Sequence, residues 1–339
     1  MQATTISLLD PASVADDGII RERLPVPLAW TARDLTRDDW LVPLPPECVA
    51  ELRAVVADLR ANPLPTIVLE PDDYELSACR ELAERLRQRF HSGMGIAVLD
   101  RLPLDELDRE EATACYWLLG RLLARPVAQA FDGRLLYDVR DVGRNLRFQE
   151  GVRASITTDE LLFHSDAAYA HTAPDYLGLL CLQSARAGGI SRLVSLLELH
   201  NHILDAHPDL LPRCYQPFLF SQGTDHRADD DGIVRAPLFG WGAGGFRARI
   251  HNIRIERGYQ RAAEVLDPAG RRVLDVIEAF LADRGNWFDM QFEPGQIQFV
   301  NNRTIGHSRT AFDDWPEPER KRHLVRLWLR DHGRRSFYG

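Results

Sequence analysis

The chain has 339 residues, 45 % of them hydrophobic, which is enough for one large core or two modest ones and excludes a disordered polymer. Its formal net charge of −9 argues against a phosphate-backbone binder, because nucleic-acid affinity rests on clustered positive charge. The longest apolar runs, such as Tyr176 to Leu182, fall far short of the roughly 20 residues that cross a bilayer, so the expected partner is a small-molecule substrate, with neither nucleic acid nor membrane.

Met1 to Asp10 lacks the basic stretch, apolar run and small-residue cleavage site of a secretory signal, and the expected location is cytoplasmic. Residues 1–60, rich in proline and charge, read as an N-terminal arm or cover. They hold one helix, Glu47 to Arg60, with Val49, Leu52, Val55 and Leu59 on one face. Residues 61–339 are expected to form a single domain. Tyr74 to Phe90 predicts a helix that feeds the strand Ile96 to Leu99, and Asp108 to Ala124 a helix whose acidic start suits the positive end of its dipole.

From about Gln129 short apolar or alternating runs dominate: Tyr176 to Leu182, Arg247 to Ile250, Trp287 to Phe292, Gln296 to Val300 and His323 to Leu329. Glu293-Pro294-Gly295 predicts a tight turn joining two of these as a hairpin. Two helices, Leu193 to Leu204 and Ala262 to Leu281, interrupt the strands. The expected class is mainly β with flanking helices (α+β), built as a closed or double-sheet β architecture.

Several features point away from other chemistry. Cys48, Cys79, Cys115, Cys181 and Cys214 are odd in number and scattered, which disfavours disulfides and structural zinc and suits small buried apolar side chains. Gly242-Ala243-Gly244-Gly245 lacks the lysine and strand-to-helix frame of a phosphate loop and reads as a flexible turn. Asp229-Asp230-Asp231-Gly232 reads as a solvated loop tip, in a stretch from Thr224 to Gly232 that would serve as a lid favouring a cationic group. No GxSxG elbow appears. His171, His200, His202, His207, His226, His251 and His332 have no carboxylate at useful spacing and stay unassigned.

Phe163-His164-Ser165-Asp166 sets a histidine and an aspartate two apart, which in an extended segment projects both from one face toward a shared metal ion. His307 is the candidate third ligand. Two imidazoles and one carboxylate leave three octahedral positions open, the arrangement with which non-haem iron binds a co-substrate and oxygen. The context of His307 is His307-Ser308-Arg309-Thr310-Ala311-Phe312, followed by Arg322-His323-Leu324-Val325-Arg326-Leu327-Trp328. With the HxD pair, Gly188-Gly189-Ile190-Ser191 and Pro174-Asp175-Tyr176-Leu177-Gly178, this pattern resembles the taurine dioxygenase and clavaminate synthase-like superfamily of Fe(II)/2-oxoglutarate oxygenases over roughly residues 93–330.

The resemblance implies a double-stranded β-helix (jelly roll) with His164, Asp166 and His307 on iron, and oxygen and 2-oxoglutarate as co-substrates. It also implies that Arg322 pairs with the distal carboxylate of 2-oxoglutarate and that the Ser191 hydroxyl touches the co-substrate. A planar guanidinium offers a carboxylate two parallel donors, which lysine cannot match. Arg322, Leu324, Arg326 and Trp328 share one strand face, and Arg326 matches a position that meets an acidic substrate in some members and forms a structural ion pair in others. Ser191 as a helix cap, after a Gly188-Gly189 turn, is the competing reading.

The implied reaction hydroxylates an unactivated carbon of a small amino-acid-like or carboxylate-bearing metabolite and turns 2-oxoglutarate into succinate and carbon dioxide. A desaturase or cyclase in natural-product biosynthesis is the alternative within the superfamily. A zinc-dependent hydrolase or a non-catalytic metabolite-binding protein is the alternative outside it.

Overall fold

The computed structural model describes residues 17–142, 157–227, 229–242 and 245–338. The sequence reading of Met1 to Asp10 lies outside the described residues, as do Ala243 and Gly244 of the glycine-rich turn and Ala228 of the acidic loop. In chain order the first part holds α1 (Arg37–Trp40), β1 (Leu41–Pro43), α2 (Pro46–Ala61), α3 (Ser77–His91), β2 (Ile96–Asp100), α4 (Arg109–Leu123), β3 (Arg125–Pro126) and β4 (Leu136–Val139). The middle holds β5 (Leu161–His164), β6 (Tyr176–Gln183), β7 (Ala187–Gly188), β8 (Ser191–Ser195), α5 (Leu196–Ala206), α6 (Leu211–Cys214), β9 (Phe218–Ser221), β10 (Ile233–Ala236), β11 (Phe239–Gly242) and β12 (Gly245–Ala248). Then come α7 (Asn252–Ala262), α8 (Pro268–Ala282), β13 (Trp287–Met290), β14 (Ile297–Asn301), β15 (Ile305–Arg309), β16 (Phe312–Asp313) and β17 (His323–Arg330).

Two sheets face each other. The larger runs β1-β2-β14-β6-β17-β3, with β4 also on β17, and the smaller runs β13-β8-β15-β5. Alternation along the strands makes them a sandwich. On β17, Val325, Leu327 and Leu329 pack outward with α2, α3 and α4, while Leu324 and Trp328 point inward. On β8, Leu193 faces the interior with Ile96, Leu177, Val300 and Ile305, while Val194 joins α5, α7 and α8 on the other side. The fold is therefore mainly β with flanking helices, the jelly-roll arrangement that the strand-rich sequence predicts. All five cysteines are buried and free. No helix among the described residues is long and apolar enough to cross a membrane.

Four expectations are corrected. The helix expected from Leu193 begins only at Leu196, because Leu193 and Val194 are fully buried on opposite faces of a strand and such a run has no readable period; Ser195 Oγ then caps α5 by accepting the Glu198 N–H at 3.3 Å. The helix expected over Ala262 to Leu281 is two helices. The first ends with Ala263 in the left-handed region (φ 52°), and α8 starts after Asp267, whose carboxylate accepts the Gly270 N–H at 2.8 Å. Glu293-Pro294-Gly295 does form its turn, with Gln296 N–H donating to Glu293 O at 3.1 Å and Gly295 at φ 88°, but it carries the chain from β13 in one sheet to β14 in the other, so there is no hairpin. The strand expected over Arg247 to Ile250 is shifted to β12, which ends at Ala248.

Candidate metal and co-substrate site

His164 is the last residue of β5, and its register partner on β15 is His307, so antiparallel pairing sets the two imidazoles side by side with ring centroids 4.3 Å apart. The chain then leaves the strand and brings Asp166 back onto the same face. Its backbone is locked by Asn302, whose Oδ1 accepts the Asp166 N–H at 2.8 Å and whose Nδ2 donates to the Asp166 carbonyl at 3.0 Å. Asp166 Oδ1 lies 3.3 Å from His164 Nε2 and 3.6 Å from His307 Nε2, and one ligand atom from each residue falls within 4.8 Å of the others. All three are buried.

The donor set fits a divalent metal. His164 Nδ1 donates to the Leu162 carbonyl at 2.9 Å, which fixes the tautomer that leaves Nε2 as a lone-pair donor. Burial, helped by the nearby Arg326 charge, pushes the His307 imidazole down to about 3, so that ring is neutral and able to ligate at neutral pH. Burial alone would push the Asp166 carboxyl up, but the charge of Arg326, with Nη1 3.2 Å from Oδ2, outweighs it and holds the group well below the usual carboxylate range. This is the oxygen-and-imidazole set that suits iron(II) with open positions.

A cavity of about 500 Å³, counting its open mouth, spreads from His164, Asp166 and His307 to Ser191, Arg322, Leu324 and Arg326, with Leu161, Leu179 and Phe292 among its apolar walls. Arg322 is 5 % exposed, its Nη1 is buried with no hydrogen-bond partner, and its guanidinium lies 5.1 Å over the Phe312 ring. Burial pushes it down to about 10, which leaves it cationic at neutral pH. Its backbone N–H donates to Asp314 Oδ1 at 2.7 Å, so that carboxylate orders the start of β17. Gly189, at φ 67°, makes room for it: a Cβ there would meet Arg322 Nε at 3.2 Å. Ser191 opens β8, lines the cavity and caps no helix. Arg326 is engaged on two sides, with Nη1 3.2 Å from Asp166 Oδ2 and Nε donating to Gln129 Oε1 at 2.7 Å.

The sequence reading missed Gln129 and Trp328, whose indole N–H donates to Asp166 Oδ2 at 2.6 Å. It also left His251 unassigned, and that ring stands 5.4 Å from His164. In the expected lid, Asp229 pairs with Arg227 and Asp231 with Arg235, Asp225 accepts the Tyr169 hydroxyl at 3.3 Å, and Asp230 accepts the Gly232 N–H at 3.1 Å and lies 3.8 Å from His171 Nε2.

The sequence model of the family described as "Taurine catabolism dioxygenase TauD, TfdA family" matches residues 60–328. The chain belongs to this family. Among curated relatives of this TauD/TfdA chain, FR-33289 synthase of Streptomyces rubellomurinus is 27 % identical over 266 residues, 77 % of this chain and 76 % of that protein. The taurine hydroxylase-like protein SAT17 of Stachybotrys chartarum is 26 % identical over 314 residues, 88 % and 78 % of the two chains. Its fold is shared by an asparagine oxygenase solved with Fe(II), 2S,3S-3-hydroxyasparagine and succinate (TM-score 0.66, 20 % identity, 86 % of this chain and 94 % of that one). It is shared too by the non-haem iron oxygenase OrfP solved with iron and α-ketoglutaric acid (TM-score 0.62, 16 % identity, 86 % and 94 %). This TauD/TfdA protein is an Fe(II)/2-oxoglutarate-dependent oxygenase, an oxidoreductase that consumes oxygen.

Proposed function

We propose that the chain hydroxylates an unactivated carbon of a small amino-acid-like or carboxylate-bearing metabolite, with His164, Asp166 and His307 holding iron(II). One observation carries the co-substrate half of this reading: Arg322 is a buried, charged guanidinium with an unpartnered Nη1 in the same cavity as the three ligands. A buried charge left unpaired is costly, and a dicarboxylate co-substrate supplies the missing partner. Bound iron supplies the oxidant, which oxygen and 2-oxoglutarate generate as the keto acid is converted into succinate and carbon dioxide.

The chain's own residues set the geometry. Arg322 anchors the distal carboxylate, Ser191 offers it a hydroxyl, and Leu179, Phe292 and Leu324 keep water from the space between. Arg326, oriented by Gln129 and Asp166, is the cation that meets a substrate carboxylate. Asp166 fills a coordination position that a halide would need, which favours hydroxylation over halogenation. The 3-hydroxyasparagine bound in the related asparagine oxygenase, and the (3S)-hydroxy-L-Arg bound in another structure of OrfP, support an amino-acid-like substrate. Residues 1–60 serve as a cover on the domain formed by the rest, and the protein acts in the cytoplasm on small molecules.

The test compares 2-oxoglutarate dependence of succinate release in the wild type, Arg322→Lys and Arg322→Gln. Lysine keeps the charge and loses the two-donor fork, so the KM for 2-oxoglutarate should rise roughly 10- to 100-fold, and glutamine should raise it further. An unchanged KM in both would remove Arg322 from the co-substrate site.

A further inference from the structure

The two oxygens of Asp166 keep different company. Oδ1 faces His164 Nε2 and His307 Nε2, while Oδ2 accepts the Trp328 indole N–H at 2.6 Å and lies 3.2 Å from Arg326 Nη1. An indole N–H donates only, so it binds the carboxylate without competing for a metal. Trp328 is 2 % exposed and is itself braced, because the Phe337 ring lies nearly parallel to it (16°) at 6.4 Å. Phe337 is backed by Phe131 at 5.1 Å and is also buried.

The segment carrying Phe337 is tied down at several points. Arg330 donates through Nη1 to the carbonyls of Arg334 (3.0 Å) and Ser336 (3.1 Å) and through Nη2 to that of Thr172. The Ala128 N–H donates to Arg335 O at 2.8 Å, and Arg335 Nε donates to Pro126 O at 3.0 Å.

We propose that Trp328 is a positioning residue for the metal-binding carboxylate, and that residues 334–338, acting through Phe337, are part of the metal centre. A carboxylate free to turn can offer both oxygens to one ion and use up a position that the co-substrate or oxygen needs. Trp328 holds Oδ2 back and leaves Oδ1 as the single ligating oxygen. The inference rests on the reading of His164, Asp166 and His307 as metal ligands.

The experiment titrates the metal-free full chain with cobalt(II), following heat and the visible d–d absorption, in the wild type and in His164→Ala, Trp328→Phe, Phe337→Ala and Phe337→Leu, with circular dichroism as the check on folding. Trp328→Phe should bind cobalt roughly 10- to 100-fold more weakly, the usual effect of removing a partner of a metal ligand, with an altered d–d spectrum. Phe337→Ala should shift both in the same direction and Phe337→Leu should restore most of the loss. Wild-type affinity and spectrum in Trp328→Phe overturn the proposal. If Trp328→Phe fails to fold, wild-type behaviour of Phe337→Ala overturns it instead. A wild type that binds no cobalt removes the metal-site reading itself, whereas binding lost in His164→Ala but intact in Trp328→Phe removes only the role of Trp328.

Discussion

Arg322 was singled out on a family resemblance and on the match between a planar two-donor cation and a carboxylate. With His164, Asp166 and His307 it was picked out from residue type, spacing and that resemblance, and the structure gathers all four around one cavity. Gln129 and Trp328 were not legible in the sequence, because their roles depend on contacts made across 197 and 162 residues. His200 is another side chain defined only by its surroundings: it is buried, its Nε2 is 2.9 Å from the Tyr215 hydroxyl, and Phe239 and Phe246 pack on its ring. Burial pushes it down to about 4 from an ordinary 6.5. The unfolded chain therefore binds the extra proton between those values, so the stabilisation from a neutral His200 is complete above pH 6.5 and is lost as pH falls through about 4. Unfolding of the metal-free protein by urea should show this loss, about 3 kcal/mol at most, and His200→Gln should flatten it. Equal pH slopes in the two proteins would show that His200 does not titrate on unfolding.

Helix α7 and strand β9 illustrate what becomes legible only at the level of elements. Helices α2, α3 and α4 share the core behind the larger sheet, α3 and α4 lying against its strands and α2 against those two helices, and their 3.6-residue period placed them to within a few residues. Strand β8 is buried on both faces and has no such period, which is why its end was read as helix. The turn at Pro294 was recognised from local chemistry, but which sheet receives the next strand is a property of the whole fold. Gly258 fixes the approach of α7 to β9, since a Cβ there would lie 2.1 Å from the Leu219 carbonyl oxygen and 2.5 Å from its carbon. Backbone cannot step aside as a side chain can. Gly258→Ala should therefore destabilise the protein by about 1–3 kcal/mol in urea unfolding, despite alanine's better helix propensity. A variant as stable as the wild type would mean that α7 and β9 have room to separate.

At the scale of the whole molecule, the two sheets converge on one cluster: β5 and β15 supply the histidines, the chain after β5 supplies the aspartate, and β17 supplies Arg326 and Trp328, with Arg322 just before it. On the proposed reading a metal held by that cluster would couple both sheets, so saturating cobalt(II) should raise the stability of the folded state, by about 2.7 kcal/mol at a hundred times its dissociation constant. The gain should vanish in Asp166→Ala, and a thermal scan with and without metal reads it directly. The proposed function requires that metal and co-substrate bind together in one cavity. The measurement that tests it most directly loads the protein with iron(II) without oxygen, adds 2-oxoglutarate, records the weak visible band of the chelated keto acid, then admits oxygen and measures succinate, with His164→Ala beside it. The account predicts a band and succinate in the wild type and neither in the variant; a wild type that binds iron and shows neither would contradict it.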